Sequence, residues 1–486
     1  MKDSIMPSKT IKPGAVARSV KWVGFVKLFS QLAMFATTIV VLKFISKESF
    51  GLASMAYIVM GLIDVVIDFG FASAIVQRKH VSSDEYSSCF WALVLFSVAG
   101  AATLFFSSPI AAWIFNEPNI VDLLHVLSFV FVSVPVQIIY RGMLTREIRL
   151  DILAKQDLIG LILRSVVTIV LAMMNFGVWS LIYGFIAEKI FVALLLVSYS
   201  RWLPSLHMRK SEIAPFLAFG VHITMSRIIY YFLQKVDSMV VGRFFGAEIL
   251  GVYSIAVQFM NVIIQLVVTI SNKILLPMFS IHQDSGFLQE YVYQSIRMIS
   301  YIALPAVTGL ALISSDLIRL SLGDKWLEAA SYMKILAIMA GIQMITLVFP
   351  QVFNAVNKPG VNVKINLFSL IVYLVTCYFF AEYWGVYGVL WATVILAVTR
   401  FGIMLEITRR IILIKRRVIL IECLETVFVL LIMYVLISAS DSLLNDVSVI
   451  IRLVVTVLVG FGSYVGLQLI FFRKKTIDMF RLVIRV

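Results

Sequence analysis

Residues 40–56 read VVLKFISKESFGLASMA, and residues 240–256 read VVGRFFGAEILGVYSIA. Val40, Val41, Phe44, Glu48, Gly51, Ser54 and Ala56 recur as Val240, Val241, Phe244, Glu248, Gly251, Ser254 and Ala256, while Lys43 returns as Arg243. A chain that repeats itself at an offset of about 200 positions is built from two copies of one unit. A second echo supports the first: GVWSLIYG at 177–184 and GVYGVLWA at 385–392.

Composition says where the two copies reside. Hydrophobic residues make up 61% of the 486 and charged ones 14%, with a mean hydropathy of +0.98. Soluble domains are about half apolar and about a quarter charged, so this is an all-α polytopic membrane protein. Windows of roughly 20 apolar residues, the length that crosses a bilayer, predict about fourteen spans. They lie near 20–44, 51–76, 87–108, 120–140, 156–174, 177–199, 213–241, 248–272, 293–314, 329–353, 364–382, 385–408, 418–438 and 447–472. The boundaries at 140–156 and 200–215 are the weakest, and either has room for an interfacial helix. The basic start of the chain reads as a cytoplasmic arm rather than a signal peptide, because the apolar run after it is too long and carries no small-residue cleavage site.

Charge placement tests that count, because one missed span would invert every later loop. Loops assigned inside carry Arg78 and Lys79; Arg141, Arg146, Arg149 and Lys155; Arg201, Arg209 and Lys210; Lys273 and Arg297; Lys358 and Lys364; and Arg409 to Arg417. Outer loops such as FNEPN (115–119), NFGVW (175–179) and SASDSLLND (438–446) carry no Lys or Arg. The formal charge of +14 is therefore topology and attraction to anionic lipid, not nucleic-acid binding. Both termini are expected in the cytoplasm. Six spans separate the copies, so both run the same way through the membrane, as in two-lobed alternating-access transporters. The expected layout is an arm at 1–19, an N-lobe of six spans at 20–200, a pseudo-symmetric C-lobe of six at 201–410, and a C-terminal helix pair with a basic tail at 411–486, an appendage to the core.

The strings DFGFASAIVQRKHVSSDEYSSCFW (68–91), RGMLTREIRLDILAKQDLI (141–159), FGVWSLIYG (176–184), DSMVVGRFFGAEILGVYSIA (237–256) and GDKWLEAASYMKILAI (323–338) are distinctive as a set. Together they resemble the bacterial polysaccharide exporters of the O-antigen and colanic-acid flippase type, in the multidrug/oligosaccharidyl-lipid/polysaccharide superfamily. The resemblance covers residues from about 10 to 410. It implies fourteen helices in two six-helix bundles plus a C-terminal pair. It also implies flipping of an undecaprenyl-diphosphate-linked oligosaccharide across the bacterial inner membrane, with a glycan polymerase or export machinery as partner.

Ionisable side chains inside a bilayer are costly and mark function. Lys27 in span one and Arg227 in span seven stand at the repeat offset, and two such cations suit a diphosphate: Arg as a bidentate fork, Lys as a point charge. A snorkelling Lys27 is the competing reading. Lys235, Lys273 and Arg297 complete the candidate cations. Asp64 and Asp68, at i and i+4, share one helix face; they suit proton or sodium coupling, or Asp68 forms a structural ion pair with Lys27 at similar depth. Asp237 faces a cation or lies at the outer mouth. Arg164, Glu188, Lys189, Lys334 and Arg400 are secondary intramembrane charges, several of them expected to pair within a lobe.

Other chemistries are poorly represented. Cys89, Cys377 and Cys423 form no CxxC, the five histidines no HExxH, and there is no Walker motif, so no metal, cofactor or ATP use is expected. The nearer rivals are a lipid II flippase and an ion-coupled multidrug antiporter; the antiporter should line its cavity with carboxylates. An integral glycosyltransferase or polymerase would need a larger, charged outer loop. A scaffold would have little reason to keep charge at depth.

Overall fold

In a computed structural model, Val26, residues 29–473 and Lys475 are described, apart from 79, 201, 283–286 and 444–446. Among them there are helices and short 3-10 turns and no strand. The helices are α1 (Phe29–Val41), α2 (Lys47–Asp68), α3 (Phe71–Gln77), α4 (Ser83–Phe115), α5 (Ile120–Leu127), α6 (Val134–Arg146), α7 (Leu150–Met173), α8 (Val178–Tyr199) and α9 (Lys210–Ile281). They continue as α10 (Leu288–Leu312), α11 (Ser314–Leu322), α12 (Glu328–Thr346), α13 (Val348–Ala355), α14 (Gly360–Ile412), α15 (Arg416–Leu443) and α16 (Val449–Phe471). Eleven stretches among the described residues are long and apolar enough to cross a membrane.

The sequence repeat returns as repeated backbone geometry. In the first copy Ser46 caps α2, its Oγ accepting from Ser49 N at 3.0 Å. Position 246 is a glycine with φ 78° and ψ −177°, a non-helical break inside the 72 residues of α9. The second echo behaves alike, with φ 55°, ψ −128° at Gly177 before α8 and φ 64°, ψ −149° at Gly385 inside the 53 residues of α14. Only glycine occupies such conformations cheaply. Each long helix is thus two segments joined at a sharp turn.

The chain forms two compact units, Met1–Ile228 and Ile229–Val486. The division falls within α9 because residues 210–228 pack on the turn between α2 and α3. Phe69 and Gly70 at that turn are both left-handed, with φ of 39° and 71°. Phe216 stacks on Phe71 at 6.3 Å, and Ile213 and Phe216 share a buried core with Phe71, Ile75, Leu93 and Tyr140. Gly220 lies so close that a Cβ there would sit 1.9 Å from the Phe69 carbonyl oxygen. Gly220→Ala must push backbone apart, so it is expected to cost about 1–3 kcal/mol or more. Thermal unfolding in detergent measures it, and an unchanged midpoint would contradict this docking.

The weak boundary at 200–215 holds no interfacial helix over its described residues 202–209. The segment is an extended strap fixed by a run of serines at the start of α4. Trp202 Nε1 donates to Ser83 Oγ at 3.1 Å, Ser205 N to Ser87 Oγ at 3.1 Å, and Arg209 N to Ser88 Oγ at 3.1 Å. Hydropathy misses it because its hydrogen bonds go to another helix rather than to its own backbone.

In the second unit α15 and α16 share the core. Val429, Leu430, Met433, Ile437 and Tyr464 are buried in one cluster with Val292, Ile296, Leu304, Phe349 and Met404. The expectation of an appendage is corrected: the pair is built into the unit, with the Tyr464 hydroxyl donating to Tyr301 O at 2.9 Å.

Candidate functional site: the intramembrane charges

α2 ends at Asp68, and Arg227 of α9 reaches across the break that follows. One guanidinium nitrogen pairs with Asp68 Oδ2, and Nη2 donates to Ser73 Oγ of α3 at 3.0 Å. The Arg227 side chain remains 39% exposed, against 18% for Asp68. A cation at the C-terminal end of a helix also meets the negative end of its dipole. The carboxylate foreseen as a partner for Lys27 is thus engaged by Arg227, and Lys27 lies outside the described residues. Arg227 is a compensated cation.

Asp64, one turn before Asp68, is exposed, and Lys189 of α8 is the charge that acts on it. Asp68 is engaged by Arg227, whereas no ion pair within 4 Å reaches Asp64 among the described residues. Lys189 Nζ also lies 5.3 Å from the Phe185 ring centre, and Arg164 Cζ lies 5.2 Å from the same ring. Arg164 Nη1 pairs with Glu188 Oε2 at 3.1 Å, as an intra-lobe pair. Beside them a small cavity is lined by Thr37, Thr38, Arg164, Ser165 and Thr168.

The second unit answers with a different arrangement. Asp237 occupies the repeat position of Thr37. Its Oδ2 accepts from the Tyr253 hydroxyl at 2.6 Å and its Oδ1 from Ser238 N at 2.7 Å. Tyr253 and Cys377 are fully buried and Tyr373 is 3% exposed around it. Lys235 is half-buried and acts on Asp237 through its charge without an ion pair within 4 Å among the described residues. Only one lobe therefore carries a carboxylate at this repeat position, so the halves are chemically unequal.

Arg297, expected as a cavity cation, is bound on its side edge by Glu422 of α15, with Nε to Oε2 at 2.8 Å and Nη2 to Oε1 at 2.5 Å. Glu422, 4% exposed, also lies 3.5 Å from Lys475 Nζ, which reaches Glu425 at 2.6 Å. Arg452 of α16 clasps Asp316 of α11 in the same manner, with Nε to Oδ2 at 2.8 Å. Sequence reading missed Glu422, Asp316 and Arg452; the available signal was that each interrupts an apolar run, as in RVILIECLETVFVLL. Lys334 is exposed on α12, and the Lys273 side chain lies outside the described residues. Arg400 of α14 donates to Asn366 Oδ1 at 2.9 Å rather than to a carboxylate.

Similarity to other proteins agrees with this picture of a polytopic helical fold. The chain is 24% identical to the lipopolysaccharide biosynthesis protein WzxC of Escherichia coli over 349 residues, 69% of each chain. It is 24% identical to the succinoglycan biosynthesis transport protein ExoT of Rhizobium meliloti over 338 residues, 68% of each. The solved lipid II flippase MurJ in an inward closed conformation superposes with a TM-score of 0.77 at 14% identity, over 93% of this chain and 99% of that one. An inward-facing multidrug resistance MATE family transporter of the MOP superfamily gives 0.62 at 15% identity, over 77% and 94%. Those two likenesses are of fold. The family described as "Polysaccharide biosynthesis protein" matches residues 40–331, more than half of the sequence, and the chain belongs to that family.

Proposed function

We propose that this protein is a flippase that carries undecaprenyl-diphosphate-linked oligosaccharide repeat units across the bacterial inner membrane by alternating access. It acts as a transporter and not as an enzyme. Fourteen spans are arranged as two six-helix lobes, at 20–200 and 201–410, with the C-terminal pair and tail at 411–486, and both termini are cytoplasmic. The observation that carries the reading is Arg227: a part-exposed guanidinium, held at a helix break in a hydrocarbon-spanning segment, within reach of an incoming anion. A diphosphate competes for the fork that Asp68 occupies, because phosphate and carboxylate accept the same bidentate geometry. Lys27, Lys235 and Lys273 supply further positive charge along the path. Fold likeness to multidrug transporters does not favour cationic drugs, since the guanidinium charges of Arg227 and Arg400 suit an anionic cargo.

Asp64 with Lys189, and Asp237 with Tyr253, are the coupling carboxylates, able to take up a proton or sodium ion in one state and release it in another. Their test is flipping of a fluorescent polyprenyl-diphosphate glycan in proteoliposomes under imposed proton or sodium gradients. The wild-type protein should respond to one gradient, and Asp64→Asn or Asp237→Asn should reduce that response about tenfold or more, the equivalent of about 1.4 kcal/mol of lost ion binding. An undiminished response in both variants removes them from coupling. No flipping by the wild type removes the function itself.

A further inference from the structure

Arg164, Arg227, Arg297 and Arg452 each face a carboxylate. Arg400 does not. Its Nη2 donates to the amide oxygen of Asn366, its Nε is buried with no hydrogen-bond partner, and no ion pair within 4 Å compensates it among the described residues. It lies 15 residues beyond the break at Gly385 and 12 before the end of α14 at Ile412. At about 1.5 Å per residue, that is about 22 Å from the turn and about 18 Å from the helix end, well inside the hydrocarbon. An arginine cannot relieve this position by losing its proton. Around it stand further groups able to bind an anion: Tyr230 is the polar side chain acting on Arg400, and its hydroxyl accepts from Gln234 Nε2 at 2.8 Å, leaving its own proton to donate. Tyr230 itself is half exposed.

We propose that Arg400, with Asn366 and Tyr230, forms a binding site in the second unit for a phosphate oxyanion, and that this anion is the diphosphate headgroup of the transported lipid. The missing counter-charge is the ligand's own. The identification of the lipid rests on the flippase reading above; the anion site does not. A guanidinium with an unpaired Nε beside an engaged Nη2 presents a fork edge to a tetrahedral oxyanion once Asn366 turns aside. Bilayer phosphatidylglycerol offers the same phosphate chemistry, so the source has to be separated by experiment.

Purified full-length protein in neutral detergent is titrated with farnesyl diphosphate and, separately, with phosphatidylglycerol, following affinity by thermophoresis. The wild type should bind farnesyl diphosphate at least tenfold more tightly than phosphatidylglycerol. Arg400→Gln should weaken the diphosphate about 10-fold to 100-fold, and Arg400→Lys should recover only part of it because the point charge lacks the fork. The ligand-free melting temperature of Arg400→Gln should stay level or rise, since an uncompensated charge is removed, whereas a purely structural arginine would lower it. Equal affinity for both lipids, or unchanged diphosphate binding in Arg400→Gln, overturns the proposal. If the wild type flips glycolipid while the Arg400 variants bind and flip as well as it does, this inference fails and the flippase reading stands. If the wild type does not flip, that reading fails by itself.

Discussion

Substituting Arg227 with alanine is expected to reduce transport of lipid-linked glycan about 10-fold to 100-fold and to lower the stability of the first unit at the same time. The transport loss follows from removing a charge-assisted fork of about 1.5–3 kcal/mol, at about 1.4 kcal/mol for each factor of ten. The stability loss arises because Asp68, with 18% of its side chain exposed at the end of α2, is left without its cation. An unpaired carboxylate at depth costs about 2.5–3.5 kcal/mol on insertion scales. Two further variants separate these effects. In Asp68→Asn/Arg227→Gln both charges are gone and amide hydrogen bonds across the break remain possible, so stability should return to within about 1 kcal/mol of the wild type while transport stays lost. Asp68→Asn alone frees the guanidinium from its internal competitor and should bind a polyprenyl diphosphate more tightly, by about tenfold. Full flipping by the neutral double variant would sink the role of Arg227 as a cargo-binding cation, because a merely structural pair tolerates neutral replacement.

The chain discloses its class and its twofold construction early because both are local properties. Apolar runs are visible in any window, and the echo of 40–56 in 240–256 fixes where each unit turns, so that Ser46 and Gly246 perform the same task by different chemistry, a side-chain cap and a left-handed glycine. Pairing is not local. Arg227 meets Asp68 across 159 positions and Arg297 meets Glu422 across 125. Hydropathy places a charge at a depth but gives no azimuth about the helix, and azimuth decides which base meets which acid. Lys27 and Arg227 are related by the repeat, yet the repeat does not extend to partners: the carboxylate for Arg227 comes from α2, through a turn that its glycine and left-handed phenylalanine create. Arg297 was legible as a cation and not as a pillar, because Glu422 sits in the helix pair that the repeat leaves out. Arg400 stood among the lesser charges in the sequence, since nothing there reveals that an amide, not a carboxylate, faces it.

Removal of Glu422 should produce the largest stability change in the second unit. Glu422 is 4% exposed, holds Arg297 by two hydrogen bonds and lies near Lys475, so Glu422→Ala leaves Arg297 without its carboxylate beside an emptied site while Lys475 keeps Glu425. Breaking a buried pair in this way costs about 3–5 kcal/mol, read as a fall in the unfolding midpoint in detergent. Replacing both partners, Arg297→Leu/Glu422→Leu, should recover most of that loss, since a buried pair is commonly no more stable than well-packed apolar side chains. A full loss in the double variant would mean that the ion pair itself, rather than the orphaned charge, holds α10 to α15. The far end of the pair has its own clasp, Arg452 with Asp316. Glu422 and Leu443 are separated by about 30 Å of helix at about 1.5 Å per residue, so the two clasps are independent and the costs of Glu422→Ala and Arg452→Ala should add within about 0.5 kcal/mol. Strong non-additivity would instead show that α15 and α16 detach as one piece when either clasp opens. Additive losses are expected, because the shared core around Tyr464 and Val429 holds the pair between its two charged ends.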